Sequence, residues 1–378
     1  MKEPNPGDSY DCGALKEKPY LAVDIEIERK FISKKVARSL LLMDERTKRL
    51  AILTRPNATN FRMTNVQKGV IESIIDGSYE PVLPEQETTC PAYSEADFLN
   101  EVYSGAEYYA TLKGLLLRKK NVILQGSPGV GKTFSAQRLA FSMMGEKDTS
   151  RVEIVQFHQS YSYEDFIMGY RPDGSGFRLA ERPFYRFCKI AESDDERSYF
   201  FIIDEINRGN LSKIFGELLM LIEGDKRGER NALRLLYKDE QFSVPANLHL
   251  IGMMNTADRS LAMIDYALRR RFAFFDLGPA FQSDGFKARQ AWIRNPKFDA
   301  LIAMVESLNR EIGEDASLGM GFRIGHSYFC ASERDVIDDV WLSSVIEYEL
   351  LPLLKEYWFD EPSKVERWTN KLQSVLDG

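Results

Sequence analysis

Residues 121–144 read NVILQGSPGVGKTFSAQRLAFSMM. Asn121–Gln125 is a short apolar run of strand length, and Phe134–Met144 has the composition of a helix. Between them Gly126–Thr133, GSPGVGKT, matches G-x-x-x-x-G-K-[ST] at every fixed position. The motif binds phosphate only where it leaves a strand and opens a helix, and that is its setting here. Gly126, Gly129 and Gly131 let the backbone curl. With Ser127, Pro128 and Val130 they form a cradle whose N–H groups face the β- and γ-phosphates at the positive end of a helix. Lys132 adds a point charge for the same phosphates, and Thr133 offers its hydroxyl to Mg²⁺.

Outward from this loop the chain alternates strands and helices. Ser94 followed three residues later by Asp97 predicts a capped helix start, and Tyr109–Leu117 a second helix. Val152–Phe157, Tyr199–Ile203 and Leu248–Met253 read as further short buried strands. Such alternation predicts an α/β fold with a mostly parallel sheet covered on both faces. The last hundred residues read as helical, over Lys287–Arg294, Asp299–Ile312, Asp335–Tyr357 with an interruption at Pro352, and Lys364–Leu376. The expected organisation is a small α+β unit at 1–92, a nucleotide-binding α/β domain at 93–285 and a helical lid at 286–378. In the first unit Tyr20–Ile27 and Arg49–Thr54 are strand-like, Val66–Ile75 is helical in spacing, and Pro81–Pro91 reads as a linker.

Tyr199–Glu205, YFFIIDE, is an apolar strand that ends on two carboxylates. In a triphosphatase Asp204 would join Thr133 around Mg²⁺, and Glu205 would polarise the attacking water. Asn255 ends the next strand and would lie between the two motifs. Arg269, Arg270 and Arg271 follow a segment whose Leu261, Ile264 and Leu268 have helical spacing. Three adjacent cations suit an anion, and a subunit cannot readily supply them to its own site. They therefore predict a ring in which Arg269 or Arg270 reaches the neighbour's γ-phosphate.

Bulk composition sets outer bounds. The 378 residues are 44% hydrophobic and 28% charged, with a formal net charge of −7. That acidity argues against a surface that coats nucleic acid throughout. Four cysteines without C-x-x-C spacing and three histidines suggest neither a zinc site nor a redox pair. No signal-like start or apolar run of membrane length is present, so the cytoplasm is the expected compartment and no membrane is expected as a partner.

Five stretches carry a more specific likeness. GSPGVGKTFSAQRLA (126–140), VQFHQSYSYEDFIMGYRPDG (155–174), FIIDEINRGNLSKIFGELLMLIE (201–223), MNTADRSLAMIDYALRRRF (254–272) and GFRIGHSYFC (321–330) resemble the McrB family. These are AAA+ motor subunits of modified-cytosine-dependent restriction systems. The resemblance covers roughly 93–378. It implies a hexameric ring that hydrolyses nucleotide with GTP preferred over ATP. It also implies an McrC-like endonuclease partner that stimulates hydrolysis, and DNA translocation and cleavage through the complex. By motif match it makes Lys132 and Thr133 the loop residues, Asp204 and Glu205 the metal and water residues, and Asn255 the sensor. Arg269 and Arg270 fall in the region of the trans arginine. Asn207, Arg208 and Asn210 would support the acidic pair, and Tyr161–Phe187 would be an insert facing the pore or the DNA. Gly209 stands where the family leads one to expect alanine. Residues 1–92 do not match the family's larger DNA-recognition domain. A MoxR-type ATPase chaperone that remodels protein complexes is the competing reading. The nucleobase contacts fall to the stretch before the phosphate loop or to the lid near Arg323 and His326.

Overall fold

The structure is a computed structural model that describes residues 41, 47, 65–76, 90–174, 176–258, 269–330 and 335–377. The chain divides into two units, Met1–Thr89 and Cys90–Gly378. In the first, helix α1 (Asn65–Asp76) buries Val70 and packs Ile71 and Ile74 against Leu41. This is the helix expected at Val66–Ile75. The strands expected at Tyr20–Ile27 and Arg49–Thr54, and most of the Pro81–Pro91 linker, lie outside the described residues.

The second unit opens with α2 (Glu95–Val102), α3 (Ala106–Lys119), β1 (Asn121–Gly126), α4 (Lys132–Met144) and β2 (Val152–Gln156). The Ser94 hydroxyl accepts from Asp97 N–H, and the Asp97 carboxylate accepts from Ser94 N–H at 2.7 Å, so α2 begins on a reciprocal cap. Next come α5 (Tyr163–Phe166), a hairpin of β3 (Met168–Pro172) and β4 (Phe177–Glu181), α6 (Pro183–Glu192) and β5 (Tyr199–Asp204). After α7 (Leu211–Phe215), the short ribbon β6 (Leu233–Arg234) and β7 (Gln241–Phe242) leads to β8 (Leu248–Asn255) and β9 (Ala273–Leu277).

Five strands form one sheet in the order β2-β5-β8-β1-β9, every pair parallel. Side chains alternate across it. Val122, Leu124, Phe200 and Ile202 pack under α2, α3 and α4, while Ile123, Phe201 and Ile203 meet Phe166, Phe184 and Phe215 on the other face. Each such fully buried side chain stabilises the fold by about 1.5–3 kcal/mol. Strand β9 is absent from the sequence-based expectation. Its sequence AFFDL follows three arginines and is only partly buried, so neither alternation nor a long apolar run marks it. Parallel pairing to β1, from Val122 with Ala273 to Gly126 with Leu277, makes it a strand.

A helical subdomain follows, with α8 (Asp284–Ile293), α9 (Pro296–Glu314), α10 (Asp339–Ser344), α11 (Leu351–Tyr357) and α12 (Pro362–Asp377) around Phe298, Val305, Leu308, Trp358 and Trp368. Two expectations change here. The helix begins at Asp339, capped by Asp338, and residues 335–338 are not helical. Pro352 does not interrupt it. A π-helical turn over Val345–Leu350 joins α10 to α11 and sets the proline in the first turn of α11, where its missing N–H costs little. Asp315 accepts from Trp358 Nε1 at 2.9 Å and Lys364 Nζ at 2.8 Å. These bonds, with two from Ser317, hold its carboxyl well below the usual carboxylate range.

Candidate active site

The sheet order dictates which motifs meet. Strand β8 lies between β5 and β1, with Asn255 directly paired to Gly126, so the end of β8 separates the acidic motif from the glycine loop. Lys132 is buried there. Its Nζ donates to Gly126 O and Ser127 O, both at 3.0 Å, and to Asn255 Oδ1 at 2.6 Å. Asn255 Nδ2 donates to Glu205 Oε1 at 2.7 Å. The ammonium only donates and the carboxylate only accepts, so the amide has one possible orientation. Burial draws the Lys132 pKa down to about 8, against the pull of Glu205 and Asp204, because no full countercharge sits on the nitrogen.

Glu205 occupies the left-handed region at φ 50°, a strained conformation for a residue with a side chain. In this conformation its carboxylate meets Asn255 at the end of the neighbouring strand. Oε2 is buried, accepts no hydrogen bond, and lies 3.2 Å from Arg208 Nε as an ion pair. Arg208 also reaches Asp258 at 3.2 Å. Asp204 Oδ1 accepts from Glu205 N–H at 2.9 Å, which leaves its other oxygen available. Asp204 and the exposed Thr133 are hard oxygen donors of the kind Mg²⁺ takes. Among the described residues no three His, Cys, Asp or Glu side chains converge into a metal cluster, so an ion here would draw its remaining ligands from phosphate and water.

The other supporting residues fare differently. Asn210 caps α7 by accepting from Lys213 N–H and does not enter the site. Gly209 has a packing reason, since a Cβ there would stand 2.4 Å from Ile214 Cδ1. In the segment 161–187, Phe166, Phe184 and Phe187 are core residues, and the β3–β4 hairpin exposes Tyr170 and Phe177.

The helical subdomain closes directly on the phosphate loop. Gly325 N–H donates to Pro128 O at 3.2 Å, and Ser327 N–H to Gly129 O at 2.8 Å. A Cβ at Gly325 would stand 2.0 Å from Gly129 carbonyl atoms, so only glycine permits this approach. Thr256 Oγ1, on the residue after Asn255, donates to Gly321 O at 2.9 Å. His326 Nδ1 accepts from Ala280 N–H at 3.1 Å, which puts the ring proton on Nε2, the nitrogen nearest Gly131. Burial lowers the His326 pKa to about 4, so the ring is neutral at neutral pH. Beside it lies a cavity of about 330 Å³ lined by Tyr103, Ser104, Gly105, Tyr108, Val130, Asp276 and His326, among others. It joins the stretch before the phosphate loop to the lid. Arg323 lines a different cavity, with Glu306 and Arg310.

Comparison with known proteins bears on this arrangement. Residues 121–272 match the AAA domain family of the dynein-related subfamily. Residues 300–366 match the family described as McrB, alpha-helical lid domain. The chain is similar to the type IV methyl-directed restriction enzyme EcoKMcrB subunit of Escherichia coli (strain K12), 50% identical over 310 residues, covering 79% of this chain and 67% of that protein. The chain belongs to the McrB family. A more distant relative is the type II restriction enzyme BsuMI component YdiS of Bacillus subtilis (strain 168), 26% identical over 193 residues, covering 41% of this chain and 56% of that protein. Membership makes this McrB-family chain a P-loop nucleoside triphosphatase with an AAA+ core and helical lid, and favours a motor over the MoxR-type reading. No helix among the described residues is long and apolar enough to cross a membrane.

The arginines of this McrB-family chain lie at the opposite end of the sheet, beside the start of β1. The helix expected through Leu261, Ile264 and Leu268 falls outside the described residues. Arg269 and Arg270 are exposed. The Arg271 side chain is only 10% exposed and pairs with Glu223 at 2.9 Å, whereas Arg270, 71% exposed, reaches the same oxygen at 3.0 Å. The sequence assigns no role to Glu223, the last residue of the 201–223 stretch, or to Asp276, which lies outside the family stretches; only their spatial neighbours distinguish them.

Proposed function

We propose that this chain is the nucleotide-driven motor of a restriction complex acting on modified DNA, that it hydrolyses GTP in preference to ATP with Mg²⁺, and that it works as a hexameric ring with an McrC-like endonuclease subunit. The observation that carries the catalytic part is the chain Lys132–Asn255–Glu205 across the ends of three adjacent strands. A triphosphate entering the loop gives Lys132 the countercharge it lacks and draws Nζ from Asn255. The amide is then free to report the γ-phosphate to Glu205, whose buried Oε2 can accept a proton from the attacking water. Thr133 and Asp204 would hold Mg²⁺, which supplies charge neutralisation for the β- and γ-phosphate oxygens. Arg269 or Arg270 of one subunit would complete the site of the next.

The base preference rests on Asp276. This exposed residue is among those lining the 330 Å³ cavity beside the phosphate loop, and its Oδ1 accepts from Gln125 Nε2 at 2.7 Å. A carboxylate accepts from the N1–H and exocyclic amine of guanine, whereas adenine presents an acceptor at N1. The test is turnover of GTP and ATP in parallel, with and without the endonuclease subunit, for the native chain and Asp276→Asn. The native chain should favour GTP, and the variant should lose about tenfold or more of that preference, since leaving a site's polar group unpaired sets specificity. An unchanged ratio would remove Asp276 from base selection.

A further inference from the structure

The arginine corner is built more elaborately than a solvated charge cluster requires. One oxygen of Glu223, Oε1, receives both Arg270 and Arg271, at 3.0 and 2.9 Å, and the Glu223 side chain is only 18% exposed. The loop that carries Glu223 is tied to β1. Asn121 Nδ2 donates to Ile222 O at 2.7 Å and to Arg271 O at 3.0 Å, so one amide holds the residue before Glu223 and the residue it binds. Asn121 Oδ1 in turn accepts from Arg227, a buried guanidinium that also donates to Ile222 O, Pro245 O and Leu248 O at 2.9–3.3 Å. Lys119 Nζ donates to Arg270 O at 3.3 Å. The backbone on both sides of the ion pairs is therefore fixed, and Arg270 alone of the paired side chains extends into solvent.

One carboxylate oxygen thus receives two guanidinia that differ sharply in exposure. Arg271, nearly buried, needs the countercharge to remain where it is. Arg270 is solvated on its outer side and can exchange a carboxylate oxygen for a phosphate oxygen, which has the geometry its fork of donors suits.

We infer that Glu223 is a positioning residue for the arginine donated in trans: it holds Arg271 as a fixed buttress and parks Arg270 until the γ-phosphate of the adjacent subunit draws it away. This rests on the reading that the arginines act across a subunit interface. It adds that the interface arginine is set by a carboxylate of its own subunit, anchored through Asn121 to the strand that ends in that subunit's phosphate loop.

The test uses mixed rings of full-length chains, with GTP and Mg²⁺ and with ring composition followed by native mass spectrometry. An acceptor subunit carries Arg270→Ala and keeps its pocket. A donor subunit carries Lys132→Ala and keeps its arginines. Their mixture should regain turnover that neither has alone. Adding Glu223→Gln to the donor should cut the regained turnover about tenfold or more, part of the 10³–10⁵ that a trans arginine supplies. Adding it to the acceptor, whose arginine is already absent, should change the regained turnover by no more than about twofold, as for an independent site. Equal loss in both positions would overturn the proposal, because the carboxylate would then serve its own subunit's fold. Full complementation by the Glu223→Gln donor would overturn it as well. If mixed rings form and even the parent pair regains nothing, the trans reading itself fails, and the result is distinct from either outcome above. Should Glu223→Gln prevent folding, Glu223→Asp keeps the charge, shortens its reach and is judged by the same criteria.

Discussion

Lys132, beyond the carboxyl end of β1, and Arg270, beside its amino end, are held in opposite ways. The strand between them is six residues long, about 17 Å at the usual rise. Lys132 is buried among carbonyl and amide oxygens that accept its protons without cancelling its charge. The arginine corner has a full carboxylate, and Arg270 is largely in solvent. A buried cation without a counterion is raised in energy until an anion arrives, so the lysine end favours taking up a ligand for its own subunit. A solvated, paired cation loses little by waiting and gains only when something displaces its partner. On the proposed trans reading, the contrast separates a site that binds from a group that is lent.

The sharpest way to break this contrast is to remove the lent group. Arg270→Ala should lower turnover about 10³-fold or more, the scale of a trans arginine, with nucleotide affinity and thermal midpoint nearly unchanged. Arg271→Ala should instead lower the melting temperature by about 2–4 °C per kcal/mol lost, since it strips a largely buried carboxylate of its inner partner. If the two variants behave alike in calorimetry and steady-state kinetics, the distinction between finger and buttress fails.

At the other end, Lys132→Ala should weaken triphosphate binding on the order of 10²-fold, as expected when charge-assisted bonds to phosphate are lost. Near-native affinity in a titration with a fluorescent nucleotide would end the phosphate-loop assignment. Glu205→Gln should retain binding with Mg²⁺ and slow turnover roughly 10²-fold, the scale of a lost general base. Undiminished turnover would move that role elsewhere.

The smallest effect concerns protons. Burial draws the Lys132 pKa down to about 8, and a bound triphosphate raises it. The complex then holds more protons than the free protein, so affinity should fall as pH rises above about 8, by at most tenfold per unit for one proton. Below that pH the lysine is charged in both states and contributes no slope. Calorimetric titrations in two buffers of different ionisation heat would measure the uptake, and an affinity flat from pH 7 to 9.5 would contradict it.

Residues 126–133, the paired carboxylates and the α/β alternation were legible because each depends on neighbours in sequence. A glycine loop must join a strand to a helix, and an apolar run ending in two acids must be a buried strand with a polar end. The same locality explains the helix start at Ser94, where one side chain caps the turn that follows it. What the tertiary structure decided depends on pairing across the sheet. Strand β9 exists because β1 offers it an edge, and Asn255 meets both Lys132 and Glu205 because β8 lies between β5 and β1. Asp276 and Glu223 acquire meaning only from a cavity wall and a guanidinium pair assembled from segments distant in the chain. A covalent neighbour can be read along the chain, but a counterion supplied through a fold has no spacing rule to announce it.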